Sequence, residues 1–163
     1  MKYLIISDLH IPERAKEIPK KILEEAKKTD GIICAGDFTS KEVYDKLKSA
    51  NKNLIAVRGN CDRLNLPDVT SFEEKGKKIG IIHSHHLGRG NINAIFELAK
   101  SRGFDILIFG HTHKPLIEKK ESILLINPGS ANGIESGRGE SSGKTYVILE
   151  LNGEPKAKIE RID

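Results

Sequence analysis

Short apolar runs alternate with amphipathic segments along the first third of the chain. Three of the runs are rich in β-branched residues and end close to a glycine or a polar turn: 2–6, 32–35 and 53–57. This pattern predicts buried strands. Between them, apolar residues recur at helical spacing in 19–28 and again after Thr39, which with Glu42 forms a capping-box pattern. Strands that alternate with helices in this way predict right-handed βαβ units and a largely parallel sheet.

The pattern changes after residue 68. A β-hairpin, a helix and a strand are predicted in turn at 69–82, 91–101 and 105–109. Four further strands are predicted at 115–118, 123–126, 145–151 and 156–161. The Gly/Ser-rich run 133–143 is predicted to be a loop that buries little. We therefore expect one α/β domain over residues 1–163, with two facing sheets and helices outside them.

Composition and charge disfavour several classes of protein. The 163 residues are 37% hydrophobic and 31% charged, and no apolar run approaches the roughly 18 residues of a membrane span. Since the first residues enter a strand directly, we expect neither a signal peptide nor a membrane anchor. The net charge of +4 could indicate a polyanion partner, but Lys and Glu are interleaved on predicted helix faces, as on solvated, salt-bridged surfaces, which disfavours nucleic acid. Two cysteines without a spaced framework indicate a reduced, cytoplasmic location.

All six histidines lie near the carboxyl end of a predicted strand. They are His10, His83, His85, His86, His111 and His113. Asp8, Asp37 and Asn60 follow other strands and stand beside glycine or another small residue, which lets a ligand approach the backbone closely. Because ligands bind at the carboxyl ends of strands in layered α/β folds, these side chains predict a common site.

A mixture of carboxylate, imidazole and amide donors is typical of sites for divalent cations, whereas structural zinc sites favour sulfur. On an extended chain, His111 and His113 would point the same way and could serve one metal or two adjacent metals. Considered alone, the two could also be solvated loop histidines. Seven candidate donors exceed the needs of one ion and fit two ions that share a carboxylate.

Five motifs follow one another in an order that resembles the calcineurin-like metallophosphoesterase superfamily. They are Asp8-x-His10, Gly36-Asp37, Gly59-Asn60-x-Asp62, His83 and Gly110-His111-x-His113. A later motif, Asn127-Pro128-Gly129-Ser130, is typical of the small single-domain bacterial and archaeal phosphodiesterases of that superfamily. The resemblance implies a four-layer αββα sandwich, in which two mixed β-sheets are flanked by helices, with a dinuclear metal site.

The resemblance also implies which donor holds which metal. Asp8, His10 and His113 would hold the first ion, Asn60, His83 and His111 the second, and Asp37 would bridge both. It implies a phosphodiesterase in which a hydroxide bridging the two ions attacks the phosphorus of a small phosphate ester. We expect two divalent ions, with manganese favoured and nickel, iron, zinc and magnesium left open.

One position departs from the family pattern. Many members have a histidine, thought to protonate the leaving group, where this chain has Cys61, so that Asp62 lacks its usual partner. We expect Cys61 to be a small packing residue, with a weak proton donor as the alternative. His85 or His86 could supply the proton instead, or only contact phosphate or solvent. Without a strong acid, esters with good leaving groups should react best. The candidate catalytic residues are Asn60, Asp62 and His85.

Ser84 and three arginines are further residues of interest near the predicted site. Ser84 stands where relatives usually have glycine, so we expect an altered turn with the ligand set intact. Arg58, Arg89 and Arg138 are close to motifs or flexible loops and could contact phosphate, although surface exposure is favoured for each.

Two other classes of function compete with a phosphodiesterase. One eukaryotic branch of the resembled fold, a subunit of the retromer coat, serves in protein assembly, so a non-catalytic metal-binding scaffold is the main alternative. A nuclease would need a capping or basic recognition region, for which 163 residues leave little room. Retention of all seven donors favours the enzyme. The sequence does not determine the oligomeric state, and a homo-oligomer is one of the open alternatives.

Overall fold

The computed structural model describes residues 1–137, 139 and 141–163. The strands are β1 (Lys2–Ile6), β2 (Gly31–Cys34), β3 (Leu54–Ala56), β4 (Val69–Glu74), β5 (Lys77–Ile82), β6 (Ile106–Ile108), β7 (Leu116–Lys120), β8 (Ile123–Asn127), β9 (Lys144–Glu150) and β10 (Lys156–Ile162). The helices are α1 (Lys20–Lys28), α2 (Lys41–Ala50) and α3 (Ile92–Ser101), and His85–Leu87 forms a 3-10 turn. Within the described ranges, none of the helices has the length and hydropathy that a membrane crossing needs.

Each of the two sheets has five strands and mixes parallel with antiparallel pairs. In the first sheet β1, β2 and β3 are parallel, while β9 pairs with β1 in the antiparallel direction and β10 lies outside β9. In the second sheet β5, β6 and β8 are parallel, and β4 and β7 are antiparallel strands at its two edges. This arrangement confirms the predicted fold class. The predicted hairpin begins the second sheet.

Side-chain alternation along the strands explains the layers. In β1, Leu4 and Ile6 belong to the apolar cluster that includes buried residues of α1 and α2, whereas Tyr3 and Ile5 belong to the cluster between the sheets. Helix α3 covers the other side of the second sheet with its buried residues. Since full burial of one isoleucine side chain contributes roughly 1.5–3 kcal/mol, this core holds the strands firmly and fixes where their carboxyl ends lie.

The start of α2 differs from its prediction. Ser40 caps the helix, because its side chain accepts a hydrogen bond from the Val43 N–H. Thr39 instead has a φ of 74°, and its hydroxyl donates to the carbonyl of Ile11. The prediction of a capping box formed by Thr39 and Glu42 is therefore wrong. Thr39 instead connects the loop after β2 to the loop after β1 through its hydrogen bond.

The loop at 133–143 is less open than predicted. Ile134 and Ser136 are buried in its described part. The Ile134 N–H donates to Ser130 Oγ, which ties this loop to the Asn127–Ser130 motif. Arg138 lies outside the described residues. The prediction that this loop buries little is therefore wrong at its amino-terminal end.

Candidate metal centre

Loops that follow five strands converge at one edge of the sandwich. They carry Asp8 and His10 after β1, Asp37 after β2, Asn60 after β3, His83 after β5, and His111 and His113 after β6. Backbone hydrogen bonds join the first two loops: the Asp8 N–H donates to the Gly36 carbonyl at 3.0 Å and the His10 N–H to the Asp37 carbonyl at 2.9 Å. The side chains that the sequence analysis selected as metal ligands therefore come together.

Five of these residues have an unusual backbone conformation. Asp8, His10, Asp37, His111 and His113 have φ values between 49° and 70°. Residues other than glycine adopt this left-handed region rarely, at a cost of roughly 1–2 kcal/mol each. Strain of this kind concentrates at functional sites, where the surrounding structure enforces it. Because the chain is not extended at positions 111 and 113, the condition under which both histidines would point the same way is not met.

Asp8, His10 and His113 form one half of the centre. The His10 Nε2 lies 3.7 Å from Asp8 Oδ1, and the His113 Nε2 lies 3.3 Å from the same oxygen. Asp8 Oδ1 and His10 Nε2 are buried and have no hydrogen-bond partner among the described residues. Since nearly all buried polar atoms in folded proteins have a partner, these two atoms indicate a cation site.

Asn60, His83 and His111 form the other half. The His83 Nε2 is 3.0 Å from Asn60 Oδ1, and the ring centroids of His83 and His111 are 5.2 Å apart. Asp37 lies between the halves, with its Oδ2 at 3.5 Å from His10 Nε2 and 3.1 Å from His83 Nε2. Its carboxylate therefore faces donors of both halves.

Backbone carbonyls orient two of the imidazoles. His83 Nδ1 is 2.7 Å from the Ala35 carbonyl oxygen, and His113 Nδ1 is 3.0 Å from the Ile134 carbonyl oxygen. In each ring the Nε2 then faces the carboxylates of the centre. Metal-binding histidines commonly use their second nitrogen in this way, which fixes the tautomer and the ring orientation.

Asp8 is held through both its side chain and its backbone. Its Oδ2 accepts hydrogen bonds from Ser7 Oγ at 2.7 Å and from the His111 N–H at 3.0 Å. Its carbonyl accepts from Ser130 Oγ at 2.7 Å, and Asn127 Nδ2 donates to the carbonyl just before His111 at 3.2 Å. The Asn127–Ser130 motif thus fastens the loops that carry Asp8 and His111.

Asp62 and Gly59 place Asp37. The Asp62 carboxylate accepts hydrogen bonds from the N–H groups of Asp37, Thr39 and Gly59 at 2.7, 2.7 and 2.8 Å. Asp62 is buried, and burial raises the pKa of its carboxyl above the ordinary value. Gly59 packs so closely that a Cβ at this position would lie 2.0 Å from Asp37 Oδ1. Only glycine fits here without displacing the Asp37 carboxylate.

The carboxylates and His83 form one electrostatic unit. Burial lowers the pKa of His83, but the hydrogen bond to Asp37 and the charges of Asp8 and Asp37 outweigh it and raise that pKa to about 9. Burial raises the pKa of Asp37, and the contact with His83 outweighs it, so that the pKa lies below its ordinary value. Burial and then the charge of His83 lower the pKa of His111 to about 4. Metal binding requires neutral histidines, so a cation here would displace the His83 proton.

Cys61 is exposed, so the packing role that we expected for it is wrong. Its N–H donates to Asp37 Oδ1 at 2.9 Å, which places the residue directly beside the Asp37 carboxylate. Partial desolvation and then the charge of Asp37 raise the pKa of the thiol to about 11. The thiol therefore keeps its proton at neutral pH when no cation is bound.

The segment after β5 keeps His83 in place. Ser84 adopts φ 79° and ψ 2°, a conformation that glycine takes freely. His83 nevertheless stays 3.1 Å from the Asp37 carboxylate. The His85 ring lies 5.5 Å from that of His83, with a buried Nδ1 that has no partner in the described part of the chain. His86 is exposed.

Two of the three arginines are described, and they differ. Arg58 contacts Asp68 Oδ1 through Nε at 3.0 Å and Nη2 at 2.8 Å, which occupies its guanidinium. Arg89 is exposed, and its charge adds to the burial that lowers the pKa of His111. The charge of Arg89 therefore acts on the centre, whereas the guanidinium of Arg58 is paired with Asp68.

Comparison with known proteins identifies the family. The sequence model of the calcineurin-like phosphoesterase superfamily domain matches residues 1–154. A probable metallophosphoesterase of Methanocaldococcus jannaschii is 46% identical over 127 residues, which span 77% of this chain but only 66% of that protein, just under two thirds. A probable metallophosphoesterase of Methanothermobacter thermautotrophicus is 37% identical over 129 residues, 77% of this chain and 74% of that protein. The chain belongs to the calcineurin-like phosphoesterase superfamily, which confirms the resemblance.

Solved structures share the whole architecture. Vps29 of Entamoeba histolytica in complex with zinc superposes with a TM-score of 0.87 at 29% identity, covering 100% of this chain and 99% of that one. A Thermotoga maritima protein solved by NMR has a TM-score of 0.73 at 30% identity, covering 99% of both chains. The two-sheet fold is therefore that of Vps29 and of the metallophosphoesterases.

Proposed function

We propose that the protein is a metal-dependent phosphodiesterase that holds two divalent ions at this centre. Asp8, His10 and His113 would hold one ion, Asn60, His83 and His111 the other, and Asp37 both. When bound, such a pair of ions neutralises the charge of a phosphate ester and activates water as the nucleophile.

One observation carries this proposal. Asp8 Oδ1 and His10 Nε2 lie 3.7 Å apart, buried, and without a hydrogen-bond partner in the described ranges. A buried polar group without a partner costs roughly 1–3 kcal/mol, and the left-handed backbones add to that cost. A cation that accepts both nitrogen and oxygen donors removes the penalty at both atoms.

The three candidate catalytic residues receive different roles in this proposal. Asn60 offers its Oδ1 to a metal beside His83 Nε2, and its exposed side chain can also reach a substrate. Asp62 is a positioning residue, because backbone N–H groups occupy both of its oxygens. Burial and then the charge of His86 lower the pKa of His85, so His85 is neutral at pH 7 and would contact phosphate through a ring nitrogen.

The surroundings of the centre favour diesters with good leaving groups. Cys61, at the position of the acid in many relatives, has a thiol pKa of about 11 and is a weak proton donor. His85 is neutral, so it is no stronger a proton donor than the Cys61 thiol. Leaving groups of low pKa need the least protonation, so aryl phosphodiesters should react fastest.

An adjoining cavity has room for a small ester. It has a volume of about 460 Å³ and shares His10 and Cys61 with the metal centre. Two cationic side chains, Arg14 and Arg63, and one carboxylate, Glu13, also line it, so its charged walls favour an anionic ligand on balance. Cavities that bind small molecules commonly have volumes of about 300–1,000 Å³. We therefore propose a small phosphate ester as the substrate.

A non-catalytic scaffold for protein assembly is the second candidate. It is supported by the full-length similarity to Vps29, whose name denotes vacuolar protein sorting. Because Vps29 itself has been solved with zinc, metal binding alone does not separate the two candidates. Turnover separates them.

The deciding experiment restores ions to metal-stripped protein one at a time. Manganese, nickel, iron, zinc and magnesium are tested with bis(p-nitrophenyl) phosphate and with p-nitrophenyl phosphate. We expect at least one ion to restore hydrolysis, with a higher kcat/KM for the diester. Asp37→Asn should lower that kcat/KM by about 100-fold or more, since it removes the shared carboxylate charge.

Asp45→Asn is the matched control for this assay. Asp45 is an exposed carboxylate on α2 paired with Lys41, so the same chemical change should leave the rate unchanged. Metal binding without turnover of either ester, for every ion, would reject the phosphodiesterase and support the scaffold.

A further inference from the structure

The two cysteines of the chain have opposite environments. Cys34 is fully buried in β2, among the apolar residues that face the helices. Cys61 is exposed and lies on the loop that carries Asn60. The Cys61 Sγ, a His10 ring nitrogen and an Asp37 carboxylate oxygen lie within 4.8 Å of one another. Cys61 is therefore close enough to the metal centre for its sulfur to be a ligand.

His10 supplies an independent sign of a ligand at this position. The residue is only 5% exposed, and its Nε2 has no partner among the residues described. That atom lies 3.5 Å from Asp37 Oδ2. Sulfur and nitrogen donors around one tetrahedral ion lie about 3.5 Å apart, as follows from bond lengths of about 2.3 and 2.0–2.1 Å. The Cys61 sulfur lies within 4.8 Å of both donors, and because the side chain is exposed, core packing does not oppose a shift toward this spacing.

The backbone keeps the sulfur near the carboxylate. The Cys61 N–H donates to Asp37 Oδ1 at 2.9 Å, while Asp37 Oδ2 faces His10 and His83. A cation that binds the His10 and Asp37 donors would therefore meet Cys61 Sγ on the side of the adjoining cavity, which His10 and Cys61 both line.

We propose that Cys61 is a metal ligand beside His10 and Asp37, and that its sulfur makes the centre select zinc and other thiophilic ions over manganese and magnesium. The inference rests on the metal centre proposed above. Coordination forms a sulfur–metal bond and releases the thiol proton to water, with no change of oxidation state. Thiolate ligands favour zinc, whereas sites of carboxylate, carbonyl and water favour magnesium and manganese. The expected metal thus changes from manganese to zinc.

Cobalt(II) tests the ligand directly, because a cobalt–thiolate bond gives a charge-transfer band in the near ultraviolet. Metal-free protein is titrated with cobalt(II), and we expect this band to rise and saturate. Cys61→Ser should lose the band while visible cobalt absorption persists, since the nitrogen and oxygen donors remain. Cys34→Ala should keep the band, because Cys34 is fully buried in the apolar cluster that faces the helices and belongs to none of the donor groups found among the described residues.

Competition between metals gives a second measurement. The ratio of zinc to manganese affinity should fall by at least about tenfold in Cys61→Ser. An equal band in Cys61→Ser and the unsubstituted protein, or visible cobalt absorption without the band in both, would overturn the role of Cys61. Failure of cobalt to bind at all would overturn the metal centre as well. Neither result depends on phosphodiester turnover, so the two proposals fail separately.

Discussion

At the scale of single residues, the centre depends on small side chains as much as on donors. A Cβ at Gly59 would lie 2.0 Å from Asp37 Oδ1, and one at Gly110 would lie 2.2 Å from Ser7 Oγ. Both contacts involve groups that hold or form the proposed ligand set. The close approach that the sequence analysis expected of small residues beside the donors is thus a measurable packing constraint.

We predict that Gly59→Ala displaces Asp37. The new methyl group cannot fit, so we expect a loss of at least about 100-fold in diester kcat/KM and a loss of about 1–3 kcal/mol in the free energy of unfolding. Gly137→Ala is the control, because among the described residues its Cβ would meet only the Arg89 guanidinium, at 3.4 Å. Steady-state kinetics and urea unfolding measure both variants. Activity of Gly59→Ala within twofold of the unsubstituted protein would contradict this account.

The donors could be predicted from the sequence, and several of their supports could not. His83 and His113 stood out by residue type and by position after a strand. The groups that orient them are the backbone carbonyls of Ala35 and Ile134, which every residue possesses, so no side-chain signal marks them. The exposure of Cys61 could not be predicted from the sequence either, because loop packing determines it and residue type does not.

At the scale of elements, local periodicity was sufficient to predict the strands. The sequence did not reveal the tertiary contacts between elements. Predicted and observed strands differ by at most two residues at their ends. The cap of α2 was predicted at the wrong residue, because the Thr39 hydroxyl donates a hydrogen bond to the carbonyl of Ile11, 28 residues earlier. β9 pairs with β1, with Lys2 opposite Glu150. This pairing depends on which elements share a core, so the alternation of apolar and polar residues within each strand does not predict it.

The capping contact gives a prediction at this scale. Ser40→Ala removes the acceptor of the Val43 N–H and should lower the free energy of unfolding by about 1 kcal/mol, within a range of about 0.5–2 kcal/mol. Ser49→Ala, on the exposed face of the same helix, should change it by less than about 0.5 kcal/mol. Urea unfolding of the two variants measures the difference. Equal effects would show that Ser40 does not cap the helix.

At the scale of the whole molecule, the centre joins the two sheets. Asp8 and Asp37 follow strands of the first sheet, whereas His83 and His111 follow strands of the second. The hydrogen bond from the His111 N–H to Asp8 Oδ2 spans 103 residues of sequence. Ions that bind donors from both sheets would therefore stabilise the entire sandwich and not one loop.

Stability should accordingly depend on metal. A ligand present at 100 times its dissociation constant stabilises the native state by about 2.7 kcal/mol. For a protein of 163 residues this corresponds to a rise in Tm of roughly 5–10 °C. Zinc or manganese added to metal-free protein should produce that rise in thermal unfolding, and a chelator should reverse it.

Two aspartate variants decide whether the rise comes from this centre. Asp37→Asn replaces the carboxylate that faces both halves with a neutral amide, so most of the metal-dependent rise in Tm should disappear. Asp45→Asn, on the surface of α2, should retain it. Each variant is compared with its own metal-free state, so that any change in intrinsic stability cancels. If Asp37→Asn kept the full rise, the stabilising ions would bind elsewhere, and the two sheets would be joined by packing and hydrogen bonds without them.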